Sequence, residues 1–577
     1  SPDGTVALDG FEATQDGALL GYTISRSGSD RQEILVRDVA TGQDLPDHLH
    51  WAKFTGLAWT PDNKGFYYTR YPQPGTVPKG DENYFGKVYY HRLGDPQDKD
   101  LMVFERPDAR ETHPAAEVTL DGRWLVLTTY MGASDKTEVH VLDRTAAGAR
   151  PVLLPVTRGF TSAWLFVGQA GGRFFFITDS GAPLYKLVAV DYGRGNLEPV
   201  TVLAEEKDKL ASAALVGGSL AVIRMHDAHD RLLIHDPDGK LVREVALPAL
   251  GSLSALKGEA DDDELYIGFT SFTFPNTPYR YDLKAGRLEV VEKTPARVDP
   301  TAYDVRQVWY ASKDGTRVPM FLVHRKGLAR NGRTPTLLYG YGGFNISMTP
   351  SYSSSLFVWL ERGGMLALAN LRGGGEYGEE WHQAGMREKK QTVFDDFIAA
   401  AEFLVKEGYT RPDRLAIQGG SNGGLLVGAA ITQRPELFGA ALCQVPVADM
   451  LRYHLFTVGR FWIPEYGSAD DPAQFKFLYA YSPLHRVKDG VAYPATLVTT
   501  ADTDDRVAPG MAKKFAARLQ EATGGSDPIL IRVETKAGHG AGKPVSKQID
   551  EAADIYTFLM WQLGMFDEAP VARGTAR

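Results

Sequence analysis

Short apolar runs that end in an acid and a turn recur through the first half of this chain at a near-constant interval. They read ILVRD to Asp38, KVYYHRLGD to Asp95, HVLD to Asp143, LVAVD to Asp191, LLIHD to Asp236 and YRYD to Asp282. The spacing is roughly 45–55 residues, the period of four-stranded propeller blades. A second marker, an acid and a glycine in a turn before an apolar strand, occurs at Gln15-Asp16-Gly17, Pro61-Asp62-Asn63-Lys64-Gly65 and Leu120-Asp121-Gly122. Turns of this composition between apolar runs favour antiparallel hairpins. Six markers at one interval predict a β-propeller over residues 1–295 rather than a pair of packed sheets.

The rhythm changes near residue 301. VRQVWYAS, DGTRVPMFLVHR, TPTLLYGYGG and GGMLALANL read as strands, and the segment 393–407 reads as a long helix. RLAIQGG, GAALCQVPV, ATLVTTA and ILIRVE then alternate with helices from Asn422, near 512–521 and near 548–563. Apolar strands alternating with helices predict a mostly parallel sheet covered on both faces. The expected division is thus an all-β half, a linker at 292–303, and an α/β domain over 296–577. At 577 residues the chain is too long for a single core, which agrees with two domains.

Composition excludes several partners. The net charge is −9, with Lys and Arg dispersed among acids, so no basic face is offered to nucleic acid or an anionic membrane. No apolar run reaches the ~20 residues that span a bilayer. One cysteine, Cys443, rules out an intrachain disulfide and fits a reducing compartment, so a cytoplasmic location is expected. The chain opens Ser-Pro-Asp-Gly without an initiator Met, and a longer native N-terminus is expected.

Gly419-Gly420-Ser421-Asn422-Gly423 is a G-x-S-x-G between an apolar strand and a helix. That context makes Ser421 a candidate nucleophile on a sharp strand-to-helix turn, and small neighbours permit the turn. The helix N-terminus favours developing negative charge, and the Asn422 N–H is aimed at an oxyanion. A nucleophilic serine needs a base and an orienting acid, which in such folds follow in the order acid, then His. LVTTADTDDRV (497–507) supplies Asp502, Asp504 and Asp505, among which spacing does not choose. KAGHGAGK (536–543) supplies His539, with glycines that let it reach inward.

With those residues assembled, GGSNGG, TADTDDRV and TKAGHGAGK resemble the three catalytic segments of the prolyl oligopeptidase family. Tyr339-Gly340-Tyr341-Gly342-Gly343-Phe344-Asn345, NLRGGGEYG (370–378) and YSPLH (481–485) resemble further segments of it. The likeness runs through 301–565 and more loosely through the β half. It implies a seven-bladed propeller on an α/β-hydrolase domain, whereas about six blade repeats are visible here. It also implies a further N-terminal stretch, including the first blade, and a monomer. It assigns Ser421 as nucleophile, Asp504 as the orienting acid, His539 as general base, and Tyr341 with Asn422 as the oxyanion hole. One such donor is typically worth ~3–4 kcal/mol in the transition state. It further implies a proline slot with Trp462 stacked on the ring, walls from Phe344, Val447, Tyr466 and Val507, and Arg506 on a substrate carbonyl. The implied activity is cleavage of short peptides after proline through an acyl-enzyme. The propeller would exclude large substrates, and no cofactor or metal would be needed.

Other signals weigh less. Gly373, Gly375 and Gly378 spell a G-x-G-x-x-G, but the following EYGEEWHQAG is a poor start to a packed dinucleotide-binding helix. His48 with His50, and His226 with His229, lack a third ligand nearby in sequence. Rival activities are a peptidase cutting after basic residues, for which Asp449 and Glu465 are the only acids in doubt, dipeptide release, and an esterase. A rival of another class is a propeller scaffold with an inactive hydrolase domain.

Overall fold

The computed structural model describes residues 5–145, 153–192, 196–540 and 542–566. The outermost ends of both expected domains therefore lie outside the described residues.

Among those residues the first half forms six four-stranded antiparallel units, in chain order, between Val6 and Val290. The first two units are joined into one sheet through an Ala52–Arg70 pair. The periodic markers have local chemical causes. Each acid-glycine turn closes the first hairpin of a unit, where Thr14, Thr60 and Thr119 donate their hydroxyls to Asp16, Asp62 and Asp121 at 2.8, 2.7 and 2.6 Å. The terminal aspartates end or follow the third strand, and Asp38, Asp143, Asp236 and Asp282 cap the next turn. Asp38 accepts the Thr41 N–H at 2.7 Å and Asp282 that of Ala285 at 2.8 Å. A side chain that satisfies the turn's free N–H groups fixes the strand ends. Large apolar residues such as Phe174, Phe176, Val188 and Val190 fill the space between neighbouring units.

The second half is an eight-stranded sheet: β1 (Tyr303–Ala311), β2 (Arg317–Arg325), β3 (Thr336–Tyr339), β4 (Met365–Ala369), β5 (Leu415–Gly420), β6 (Ala440–Gln444), β7 (Ala495–Ala501) and β8 (Ile529–Glu534). Its order is β1-β2-β4-β3-β5-β6-β7-β8, antiparallel at β1-β2-β4 and parallel thereafter. Helices α1 (Gln391–Lys406), α2 (Asn422–Gln433), α3 (Pro509–Ala522) and α4 (Val545–Gln562) cover it. The α1 sequence places Val393, Phe394, Phe397, Ala401 and Leu404 on one buried face at three- and four-residue spacing. Each fully buried Val, Leu or Phe of this kind contributes about 1.5–3 kcal/mol. Gly and Ala fill so much of α2 that it lies in the core on nearly all sides. No helix among the described residues is long and apolar enough to cross a membrane.

The sheet order decides where chemistry can occur. In an open parallel sheet ligands bind beyond the carboxyl ends of the strands. Here Tyr341 follows β3, Ser421 follows β5, Val447 follows β6, Asp504 follows β7 and His539 follows β8, along adjacent strands.

Candidate active site

Ser421 sits between β5 and α2 at φ 59°, ψ −114°, a conformation that costs a non-glycine residue roughly 1–3 kcal/mol. Gly419 makes the turn possible, since a Cβ there would lie 2.3 Å from the Gly423 carbonyl oxygen. Ser421 N–H donates to the Gln444 carbonyl at 2.9 Å, pinning the turn to β6. Asn422 occupies the first turn of α2, where backbone N–H groups have no intrahelical acceptor.

Of the three acids after β7, Asp504 alone meets the histidine. Its Oδ2 lies 2.8 Å from His539 Nδ1, while its Oδ1 accepts the N–H groups of Arg506 and Val507 at 3.0 and 2.8 Å. Its side chain is fully buried. Asp502 is exposed, and Asp505 accepts the Ser29 hydroxyl at 2.7 Å. Ser421 and His539 line one cavity of about 550 Å³.

The Tyr341 phenol is pushed well up in pKa by burial, and Ser421 acts on it through an opposing hydrogen bond. It is therefore a neutral donor at ordinary pH. The segment behind it is clamped, with the Asn422 carboxamide donating to the Tyr341 carbonyl at 2.6 Å and accepting the Tyr466 hydroxyl at 2.9 Å.

Trp462, Val447, Tyr466 and Val507 are buried in one apolar cluster, against which the half-buried Phe344 packs. Phe344 meets Tyr466 edge-on at 5.4 Å between ring centroids. Tyr453, which the sequence did not single out, stacks on Trp462 at 6.2 Å and meets Tyr466 at 5.3 Å. The two acids in doubt are both taken. Asp449 is bound by Lys514 at 2.7 Å and Arg452 at 2.9 Å. Glu465 accepts the Phe344 N–H at 3.1 Å and pairs with His382 at 2.9 Å and Lys390 at 3.4 Å. No sequence signal set His382 or Lys390 apart, because their partner lies more than seventy residues away.

Arg506 lies beside this cluster, but its guanidinium is held by Asp30 of the propeller. The hairpin that carries Asp30 touches both loops of the acid–histidine pair. Thr503 donates to the Ser27 carbonyl at 3.0 Å, and a Cβ on Gly538 would lie 1.7 Å from the Gly28 carbonyl oxygen.

The discounted motifs have other partners. The Gly375 carbonyl accepts Lys209 of the propeller at 2.8 Å. The structure corrects the sequence view of His48 and His50 in one respect, since Glu33 from the neighbouring strand lies within ligand reach of both. Arg26 already neutralises that carboxylate. Asp208 bonds His226 at 2.8 Å. Cys443 is fully buried and burial drives its thiol pKa up, so it is no nucleophile.

The N-terminal β-propeller domain model of prolyl oligopeptidase matches residues 1–294, and the prolyl oligopeptidase family model matches residues 350–566. A prolyl endopeptidase of Elizabethkingia miricola is 39% identical over 571 residues, covering 98% of this chain and 80% of the relative. A dual function macrocyclase-peptidase of Galerina marginata is 35% identical, over 98% of this chain and 80% of its own. A solved structure from a study of two prolyl endopeptidases and their inter-domain dynamics aligns with a TM-score of 0.94 at 43% identity, covering 98% of this chain and 83% of that one.

Proposed function

Because the chain belongs to the prolyl oligopeptidase family of serine peptidases, which cleave after proline, we propose that it hydrolyses short peptides through an acyl-enzyme formed on Ser421. The observation that carries the specificity is the apolar slot beside which the two acids in doubt are both paired, Asp449 with Lys514 and Arg452 and Glu465 with the buried His382 and Lys390. A slot for arginine needs a free carboxylate. Proline offers no side-chain charge and no N–H, so flat apolar surfaces close to the ring must select it.

In the proposed mechanism Ser421 Oγ attacks the proline carbonyl carbon while His539 Nε2 takes the hydroxyl proton. Asp504 holds Nδ1 and stabilises the imidazolium. Tyr341 and the Asn422 N–H receive the oxyanion. His539 then gives its proton to the leaving amine, and water, activated by the same imidazole, releases the acid product. Trp462 stacks on the pyrrolidine ring, with Phe344, Val447, Tyr466 and Val507 around it. Arg506 exchanges part of its bonding to Asp30 for a substrate carbonyl. The propeller limits substrate size by covering the site.

The test is chromophore release from blocked Gly-Pro and Gly-Arg amides beside a Ser421→Ala control. Cleavage of the proline substrate alone, lost in the variant, is expected. Preference for arginine would overturn the specificity, and cleavage that survives Ser421→Ala would overturn the nucleophile.

A further inference from the structure

The segment that carries Tyr341 and Phe344 is strained. Phe344 and Asn345 stand consecutively at φ 58° and 57°, left-handed backbone that asparagine tolerates but a bulky phenylalanine avoids. Such a segment persists only where its surroundings over-determine it. Two of the groups that do so are buried charges. Lys390, 1% exposed in its side chain, donates to the Gly342 carbonyl at 2.8 Å. Glu465, 4% exposed, accepts the Phe344 N–H and pairs with Lys390 and His382.

The charges continue beyond the site. Burial opposes a charged His382, but Glu379 and Glu465, one on each ring nitrogen, overcome it and raise its pKa to about 9. Burial alone would raise the Glu465 pKa, yet Lys390, His382 and the Phe344 N–H hold it below the usual carboxylate value. Glu379 in turn accepts Lys136 of the propeller at 3.0 Å, and Lys136 also pairs with Asp135 and Asp179. Asn345 donates to Asp135 at 2.8 Å, so the strained segment meets the same propeller acid directly.

We propose that Glu465 is a positioning residue for the oxyanion-hole segment, and that the Lys136–Glu379–His382 chain ties its carboxylate to the propeller. The proposal rests on Tyr341 serving as an oxyanion donor. An isolated buried carboxylate would be costly and would take up a proton. Flanked by two cations it stays charged, and a charged acceptor holds the Phe344 N–H more strongly than a neutral one. The apolar wall and the oxyanion donor, three residues apart, are then set by one group. Contact with the propeller completes the ion chain that keeps this group charged.

The test is a double-mutant cycle between Glu465→Gln and Tyr341→Phe, read as kcat and KM on a blocked Gly-Pro amide with melting temperature alongside. Glu465→Gln keeps an acceptor for Phe344 but removes the charge. The expected result is a 10- to 100-fold fall in kcat with KM changed far less, since small misplacement of a reacting group costs that much. The double variant should be little slower than the slower single one, because both act through one donor. Multiplicative effects, or an unchanged kcat in folded Glu465→Gln, would overturn the positioning role alone. A wild-type kcat in Tyr341→Phe would overturn the oxyanion reading and the proposal with it. Should Glu465→Gln not fold, His382→Gln takes its place in the same cycle, with the same outcomes deciding.

Discussion

Arg506 and Asp30, 476 residues apart in the chain, are joined across the domain interface by two hydrogen bonds of 2.6 and 3.0 Å. Asp30 is 8% exposed in its side chain and Arg506 40%, so one partner is desolvated while the other still reaches solvent and the site. The residue expected to hold substrate is thereby also the residue that holds the propeller. In the proposed mechanism the guanidinium that contacts the propeller is also the one that would meet the substrate carbonyl.

Asp30→Ala should raise KM for a blocked Gly-Pro substrate about 10-fold or more, with kcat changed less, because the carboxylate that orients the Arg506 guanidinium beside the site is lost. Steady-state kinetics at low and high salt check this. An unchanged KM would mean that the pair plays no part in closure or binding.

Asp504→Asn keeps the shape of the loop but presents His539 Nδ1 with an amide. The imidazole loses the anion that stabilises its charged form, and a fall in kcat of about 10⁴-fold is expected. The neighbouring Asp502→Asn should be close to wild type, since that side chain is exposed. Equal losses in both would contradict the choice of acid.

Gly538→Ala places a methyl group against the Gly28 carbonyl, where backbone faces backbone and neither side can rotate away. The His539 loop and the propeller hairpin must then part. A loss of kcat/KM of about 10- to 100-fold is expected, larger than any change in melting temperature would suggest. Full activity would show that the contact is incidental to the site.

His382 makes stability depend on pH in a defined direction. Its folded pKa of about 9 lies above the ordinary histidine value, so its stabilisation is complete below about pH 6.5 and disappears as pH rises through about 9. Glu379, Glu465 and, through Glu379, Lys136 are the charges that face it. The span corresponds to about 3 kcal/mol. Thermal melts between pH 6 and 10 should show wild type losing stability over this alkaline window, and His382→Gln should flatten that loss. Parallel profiles would remove the assignment.

Much of this protein was legible in the sequence because the causes are local. Thr14 and Asp16 meet across two residues to close a hairpin, and Asp38 caps a turn three residues on, so blade after blade repeats the same text. The Ser421 turn is likewise written in adjacent small residues. Spacing left Asp502, Asp504 and Asp505 equivalent, and beyond the family resemblance that pointed to Asp504 it was tertiary structure that separated them by what lies around each. It also brought Asp30 to Arg506 and bound Glu465 to His382 and Lys390. Those pairs depend on strand order and domain docking, and a charge carries no local pattern that names its distant partner.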